Sequence, residues 1–133
     1  MSAERSTYVD SSALVKLAVR ENERAALRRY LRRQRVLITS VLARTEVART
    51  LLPFGPDAVR RGEDVLARVE LVRVNDRVLR AAGALLHEDL RSLDAIHLAT
   101  ASLLGKSLRG LVTYDQRMAD AARTLGFDVR APA

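Results

Sequence analysis

Short apolar runs alternate with helical segments along nearly the whole chain, and this alternation restricts the fold more than any other feature. Apolar runs of strand length lie at 6–9, 36–39, 70–74, 111–114 and 127–129. The segments between them carry apolar residues at helical spacing. Strands joined by helices need crossover connections, so the pattern predicts an α/β fold. Its sheet should be mainly parallel, with about five strands and helices on both faces.

Capping residues and helix breakers predict where the helices begin and end. Ser11 and Ser12 are expected to cap a helix over 13–19, and Ser40 is expected to cap one that Pro53 stops after Leu52. The other helices are expected over about 22–34, over 57–68, from Asp76 onward, from Ser92 to Leu104, and over 115–125. The helix from Asp76 should face inward with Val78, Leu79, Ala82, Leu85 and Leu86.

The length and residue content favour a small protein free of the membrane. A chain of 133 residues fits one domain, expected to span 1–133. No apolar run approaches the roughly 18 residues of a membrane span, and the start, MSAERSTYVD, has no apolar signal region. The lack of cysteine excludes disulfides, Cys-based zinc sites and a thiol nucleophile. We therefore expect a soluble, cytoplasmic protein.

Basic side chains are in excess and are nearly all arginine. They outnumber acidic ones by 23 to 16, for a formal net charge of +7, and only Lys16 and Lys106 are lysines. This excess suggests a polyanionic partner, although codon bias in a GC-rich genome explains the arginine count equally well. The densest basic stretch, at 28–35, is interpreted as the solvent-exposed face of an amphipathic helix in preference to an RNA contact.

Four acidic residues fall where a parallel sheet would gather them. Asp10 directly follows the first strand and Asp115 directly follows the strand at 111–114, so both should lie at the carboxyl edge of the sheet. Glu46 lies about two turns into a helix, on a face that should pack inward. Asp94 lies in the first turn of a nearly all-apolar helix, which should be buried. Each alone is explained as a turn, cap or solvated residue; together they predict one acidic site.

Four carboxylates in one pocket cannot all stay ionised without help. Two of them about 4 Å apart repel by roughly 4 kcal/mol at an effective dielectric constant near 20. Either some take up protons or a divalent cation neutralises them. An all-oxygen site suits Mg²⁺ or Mn²⁺, ions that activate water and steady the leaving oxygen of a phosphodiester. The basic surface would then hold a nucleic-acid backbone.

Four blocks of sequence surround these acids: YVDSSALVKL at 8–17, RTEVART at 44–50, SLDAIHLATA at 92–101 and LVTYDQRM at 111–118. Together they resemble the PIN-domain ribonucleases, and most closely the VapC-type toxins of bacterial toxin–antitoxin pairs.

This resemblance implies a three-layer α/β/α sandwich and Mg²⁺- or Mn²⁺-dependent cleavage of RNA. It implies that the catalytic, metal-binding acids are Asp10, Glu46, Asp94 and Asp115. It also implies a homodimer, and a cognate antitoxin whose C-terminal segment lies over the active-site groove.

Polar residues near the acids are candidates for a supporting role. The hydroxyls of Ser11 and Thr113 could orient a carboxylate or a metal-bound water, although capping explains Ser11 equally well. Ser12 is interpreted as a helix cap. His97, three residues after Asp94, is interpreted as a hydrogen-bonded packing residue in preference to a proton shuttle.

The residues leave other functions open. A catalytically silent nucleic-acid- or antitoxin-binding module would have the same fold, and an RNA-processing nuclease outside a toxin–antitoxin pair would carry the same acids. A phosphotransfer domain also places an Asp at a strand end. The phosphatase pattern, however, needs a second Asp where this chain has Ser12, and the receiver pattern needs a late Lys after a strand, which neither Lys16 nor Lys106 supplies.

Overall fold

A parallel sheet forms the centre of the computed structural model, which describes residues 5–87 and 89–133. In those residues its strands are β1 (Ser6–Val9), β2 (Val36–Ser40), β3 (Glu70–Val72), β4 (Leu108–Val112) and β5 (Val129–Arg130). Every pairing is parallel, in the order β3-β2-β1-β4-β5. The predicted α/β fold with about five mainly parallel strands is confirmed.

Helices connect the strands. They are α1 (Ser11–Ala18), α2 (Arg24–Arg32), α3 (Ala43–Leu51), α4 (Pro56–Leu66), α5 (Asp76–Gly83), α6 (Ser92–Ser102) and α7 (Gln116–Thr124), with short 3-10 turns at Leu52–Phe54 and Gly105–Ser107. Within the described ranges, none is long and apolar enough to cross a membrane.

The two faces of the sheet are covered by different helices, because successive strand residues point to opposite sides. Val9 and Val112 pack with buried residues of α1, α2, α3 and α4. Tyr8 and Leu111, one position earlier in the same strands, pack with α6 and α7 on the other face. Helix α5 packs against α6. The result is the expected three-layer α/β/α sandwich.

Helix α1 is capped by Asp10, where the sequence predicted Ser11 and Ser12. Asp10 has extended backbone, and its carboxylate accepts the backbone N–H of Ala13 at 3.2 Å. The serines are not free to cap because their hydroxyls donate to carboxylates. Ser40 also does not cap a helix: its hydroxyl accepts the N–H of Leu42, and α3 begins only at Ala43.

Strand β4 occupies 108–112, whereas the sequence predicted 111–114. Arg109 and Gly110 lie before the predicted strand, but Gly110 is buried and pairs with Thr7. A Cβ at Gly110 would lie 3.2 Å from the carbonyl oxygen of Asp128, so glycine permits the close approach of the chain leading into β5. Asp115 therefore follows β4 by a short segment instead of ending the strand.

Two predicted core residues of α5 are at the surface. Val78 and Ala82 are buried as expected, but Leu79 is exposed and Leu86 is 94% exposed. The helix ends at Gly83, so Leu86 lies beyond the helical periodicity that placed it inside. The other element ends differ from prediction by a residue or two, as is usual for helix and strand termini.

Candidate active site

The acidic residues collect at the carboxyl edge of the sheet, beside the point where strand order reverses around β1. Asp10 follows β1 and caps α1, Glu46 lies on α3 after β2, and Asp115 caps α7 after β4. Asp94 lies in the first turn of α6. An open groove of about 520 Å³ is lined by Glu46, Arg91, Ser92, Leu93, Asp94, Asp115, Gln116 and Arg117.

Asp10 is the deepest of the four acids, with 4% of its surface exposed. Its Oδ1 accepts hydrogen bonds from the Ser12 hydroxyl at 2.6 Å and the Ala13 N–H at 3.2 Å, and its Oδ2 accepts one from the Thr113 hydroxyl at 2.5 Å. Burial raises the pKa of Asp10, and these hydrogen bonds and the nearby His97 only partly oppose it. Ionised Asp10 is thus held at an electrostatic cost.

Glu46 has one oxygen bound by protein donors and one free of them. Its Oε1 accepts from the Ser11 hydroxyl at 2.7 Å and from His97 Nε2 at 2.6 Å. Its Oε2 accepts no hydrogen bond from the described residues. Burial alone would raise the pKa of Glu46, but the hydrogen bond and charge of His97, with Ser11, hold it below its usual value. Glu46 is therefore an oriented, ionised carboxylate.

Asp94 carries a negative charge that the described residues compensate only in part. No hydrogen bond to its carboxylate is formed by residues 5–87 or 89–133. Burial raises the pKa of Asp94, and the charges of Asp115 and Glu46 raise it further against the opposing effect of His97 and Arg91. Neighbouring negative charges that raise the pKa of a carboxylate mark a place where a cation would be stabilised.

Asp115 caps the last helix, α7. Its Oδ1 accepts the N–H groups of Arg117 at 2.9 Å and Met118 at 3.3 Å. Its own N–H donates to the Thr113 hydroxyl at 3.1 Å, while that hydroxyl donates to Asp10. Thr113 therefore connects the exposed acid to the buried one.

The serines beside Asp10 hold different acids. Ser11 bonds Glu46 and not Asp10, its chain neighbour. Ser12 donates to Asp10 and accepts the N–H of Tyr114 at 3.0 Å, so it ties α1 to the segment after β4. The interpretation of Ser12 as a helix cap was wrong.

His97 belongs to the site in a way that the sequence did not reveal. It is 2% exposed, and its Nδ1 lies 2.6 Å from the hydroxyl of the buried Tyr8, which also accepts the N–H of Ser40 at 3.1 Å. Because ionised Glu46 can only accept, His97 Nε2 carries the hydrogen of that contact, and Nδ1 on the other side of the ring bonds the Tyr8 hydroxyl. The packing interpretation explains the burial of His97, yet one of its partners is a site acid.

The acids do not form a ready-made metal cage. Within 5–87 and 89–133, no three acidic or histidine side chains are grouped closely enough to hold a metal ion. What fits a divalent cation is the chemistry of the groove: carboxylate oxygens without hydrogen bonds on Glu46 and Asp94, and mutual repulsion that raises the pKa of Asp94.

Comparison with known proteins shows the family of this chain. The model of the PIN domain family matches residues 7–124. Ribonuclease VapC46 of Mycobacterium tuberculosis is 58% identical over 126 residues, which cover 95% of this chain and 97% of that protein. The chain belongs to the VapC group of PIN-domain proteins. Another VapC relative, Ribonuclease VapC35 of the same species, is 40% identical over 94% of this chain and 96% of its own length.

Two solved structures share the fold. The crystal structure of M. tuberculosis VapC20, described as a toxin that cleaves the sarcin–ricin loop, matches with a TM-score of 0.76 at 17% identity, covering 95% of this chain and 99% of VapC20. A chain of a toxin–antitoxin complex from Klebsiella pneumoniae matches with a TM-score of 0.69 at 20% identity, covering 96% and 98%. At these identities the likeness establishes the three-layer architecture.

Proposed function

We propose that this VapC-group protein is a divalent-metal-dependent endoribonuclease that hydrolyses RNA phosphodiester bonds. The observation that carries this proposal is the groove shared by Glu46, Asp94 and Asp115, where the carboxylate charges raise the pKa of Asp94. Two VapC relatives are named ribonucleases, and VapC20 is described as an RNA-loop-cleaving toxin.

Mg²⁺, with Mn²⁺ as a substitute, is the cofactor that suits these donors. Its proposed ligands, which are also the catalytic acids, are Asp10, Glu46, Asp94 and Asp115. When bound, such an ion neutralises the carboxylates, lowers the pKa of a water and stabilises charge on the phosphate.

The supporting residues hold these acids in place. The Thr113 and Ser12 hydroxyls fix Asp10 between β4 and α1. Ser11 and His97 fix one oxygen of Glu46 and leave the other available. A carboxylate held in one rotamer loses less freedom on binding a cation, so Ser11 and Thr113 act by orientation.

Two arginines complete the groove. Arg91 and Arg117 line it beside the acids, and neither forms an ion pair within the described ranges. Guanidinium groups bind phosphate oxygens through paired hydrogen bonds. We assign to them the phosphate next to the scissile bond, since a groove lined only by acids would repel RNA.

Asp94→Asn is the sharpest test, because Asp94 makes no hydrogen bond with the described residues whose loss would disturb the fold. The variant should keep or gain stability in EDTA, lose at least 100-fold in RNA cleavage with Mg²⁺, and bind Mn²⁺ more weakly by calorimetry. Asp120→Asn is the matched control: Asp120 is exposed and faces only Arg123 among the described residues, at 3.6 Å. Cleavage that persists in EDTA, or in the Asp94→Asn variant, would contradict the proposal.

The cellular role proposed is that of a cytoplasmic toxin, restrained by a cognate antitoxin and assembled as a homodimer. The fold neighbour from a toxin–antitoxin complex supports the antitoxin. Expression should arrest growth, and co-expression of the adjacent antitoxin gene should restore it. Light scattering of the purified protein should give twice the chain mass of 14.7 kDa. Cleavage without growth arrest would favour an RNA-processing nuclease.

A further inference from the structure

Arginines crowd the exposed side of α2, away from the acidic groove. An open depression of about 610 Å³, the α2 groove, is lined by Arg20, Glu21, Asn22, Arg24, Ala25, Arg28, Arg29 and Arg32. The opposite side of α2 is buried through Leu27 and Leu31. The amphipathic interpretation of this helix is therefore correct, but it does not explain why its outer side is so strongly basic.

The guanidinium groups of the α2 groove lack acidic partners in the part of the chain that the structure describes. No side-chain hydrogen bond or ion pair with the described residues is formed by Arg20, Arg28, Arg29 or Arg32. By contrast, the guanidinium group of Arg130 pairs with Asp128. An ordinary solvated helix face in a stable domain mixes both signs of charge. The charge of this face is left uncompensated.

The two acidic residues next to the α2 groove are bound by a buried lysine, Lys16. Glu21 and Glu23 precede α2, but both carboxylates are bound by Lys16 Nζ, at 2.5 and 2.9 Å. Lys16 is 7% exposed and lies over the ring of Tyr114, so it is held in place. Lys16 offsets one of these two negative charges and holds both carboxylates, and neither of them forms an ion pair with a groove arginine among the described residues.

Part of the arginine cluster is held rigidly. Arg24 Nε donates to the Leu17 carbonyl at 3.2 Å, and Arg61 Nε donates to the Ala18 carbonyl at 2.8 Å. Burial, and then the charges of Arg28, Arg20 and Arg61, lower the pKa of Arg24. Cations fixed near one another in this way favour an anion between them.

The lining of the groove indicates which polyanion it fits. Ala25 is the only apolar residue among the described ones that line this groove, so the groove itself has no place for the apolar anchors on which peptide docking depends. An adjoining pocket, which shares Arg28 and Arg32, is the one lined by leucines and valines. Arg24, Arg28 and Arg32 repeat every fourth residue, about 6 Å apart along the helix, and guanidinium groups match phosphate oxygens in pairs. A regularly charged backbone without apolar groups suits this row best.

We infer that the α2 groove is a second RNA-binding surface, separate from the acidic groove, that holds the sugar–phosphate backbone of the RNA without reading its sequence. The identity of the polyanion rests on the proposed function. The surface would bind flanking RNA and so favour long substrates over short ones.

The test measures binding separately from cleavage. Anisotropy of a labelled, unstructured 20-nucleotide RNA is followed in EDTA with Asp94→Asn protein, across a salt series. The combined variant Arg28→Gln, Arg29→Gln, Arg32→Gln should bind roughly 100-fold more weakly at 0.1 M salt and reduce the slope of log K against log salt by about 2. The control Arg73→Gln, Arg77→Gln, Arg80→Gln removes the same charge from the region of α5 and should bind like the parent.

A second variant leaves every arginine in place. Ala25→Glu puts an acid into the α2 groove at an exposed helical position and should also weaken RNA binding, by at least tenfold, whereas Ala84→Glu at the end of α5 should not. Equal losses in the α2 and α5 variants would show an effect of net charge alone and overturn the inference, as would no loss in either.

A polyglutamate peptide that binds as tightly as the RNA, and loses binding in the same variants, would overturn the assignment to RNA. If the unmodified protein fails to cleave RNA but retains binding that depends on α2, the proposed nuclease function fails and this surface stands.

Discussion

Replacing His97 separates an orienting role from simple packing, because its two ring nitrogens have different partners. Nε2 donates to Glu46 and Nδ1 bonds the Tyr8 hydroxyl, both at 2.6 Å. The amide of an asparagine side chain reaches the position of Nδ1, and that of glutamine reaches the position of Nε2. His97→Asn therefore keeps the Tyr8 contact and loses Glu46, whereas His97→Gln does the reverse.

The magnitude of the stability loss follows from burial and these two contacts. A hydrogen bond to a charged group contributes about 1.5–3 kcal/mol. A buried hydroxyl that loses one partner, as Tyr8 would while keeping the Ser40 N–H, costs up to about 3 kcal/mol. His97→Ala loses both contacts at a site only 2% exposed, so the free energy of unfolding should fall by about 3–5 kcal/mol. That is a large part of the roughly 5–15 kcal/mol that stabilises a domain. His97→Asn and His97→Gln should each lose less.

Mn²⁺ affinity distinguishes the two amide variants. By isothermal titration calorimetry, His97→Asn should bind Mn²⁺ about 10- to 100-fold more weakly, the usual effect of losing a residue that orients a ligand. His97→Gln should stay within a few-fold of the parent, and urea unfolding in EDTA shows that both are folded. An orienting role for His97 is refuted if both variants bind Mn²⁺ like the parent, or if both lose affinity equally.

Three further perturbations have defined outcomes. Because burial raises the pKa of Asp10 above its ordinary 3.8, the folded state binds a proton that the unfolded chain has lost. Stability in EDTA should therefore rise as pH falls through that raised pKa, and Asp10→Asn should remove part of this pH dependence, measured by urea unfolding at a series of pH values above 3.8. Gly62→Val should lower the free energy of unfolding by about 1–3 kcal/mol, because a Cβ at this position would lie 2.5 Å from Leu51 Cδ1. The control Gly83→Val, where a Cβ meets no atom within 4 Å, should not be destabilised in this way. Equal melting temperatures of the two variants would contradict the close packing of α3 on α4. Arg117→Gln should raise KM for RNA several-fold while Mn²⁺ affinity in calorimetry stays unchanged; a loss of Mn²⁺ affinity instead would argue against a phosphate contact.

The sequence predicted the architecture and the places of the acids because both depend on local pattern. Alternating strands and helices put Asp10 at a strand end, and the apolar helix context marked Asp94. Glu46 was proposed mainly from the family resemblance, since its surroundings depend on how α3 packs. The predicted limits of β4 were wrong. Gly110 is buried because the segment before β5 packs closely against it, and this long-range contact leaves no pattern in the residues around Gly110.

The contacts around the acids were less predictable, because each joins distant parts of the chain. Thr113 and Asp10 are 103 residues apart, and His97 and Glu46 are 51 apart. Hydroxyls at positions 11 and 12 look alike in sequence, yet Ser11 bonds Glu46 and Ser12 bonds Asp10. Which hydroxyl reaches which carboxylate depends on helix rotation and strand register, which periodicity does not specify.

The hydrogen bonds that join Ser40, Tyr8, His97 and Glu46 also determine when the site can form during chain synthesis. Tyr8 is synthesised early, but the imidazole that fills the space between its hydroxyl and Glu46 is translated 89 residues later. A nascent chain that already displays α1 and α3 therefore cannot hold Glu46 in its final rotamer until α6 has left the ribosome and docked. Partly made or truncated chains lacking α6 would lack this geometry, so Glu46 is not held by His97 until α6 is present.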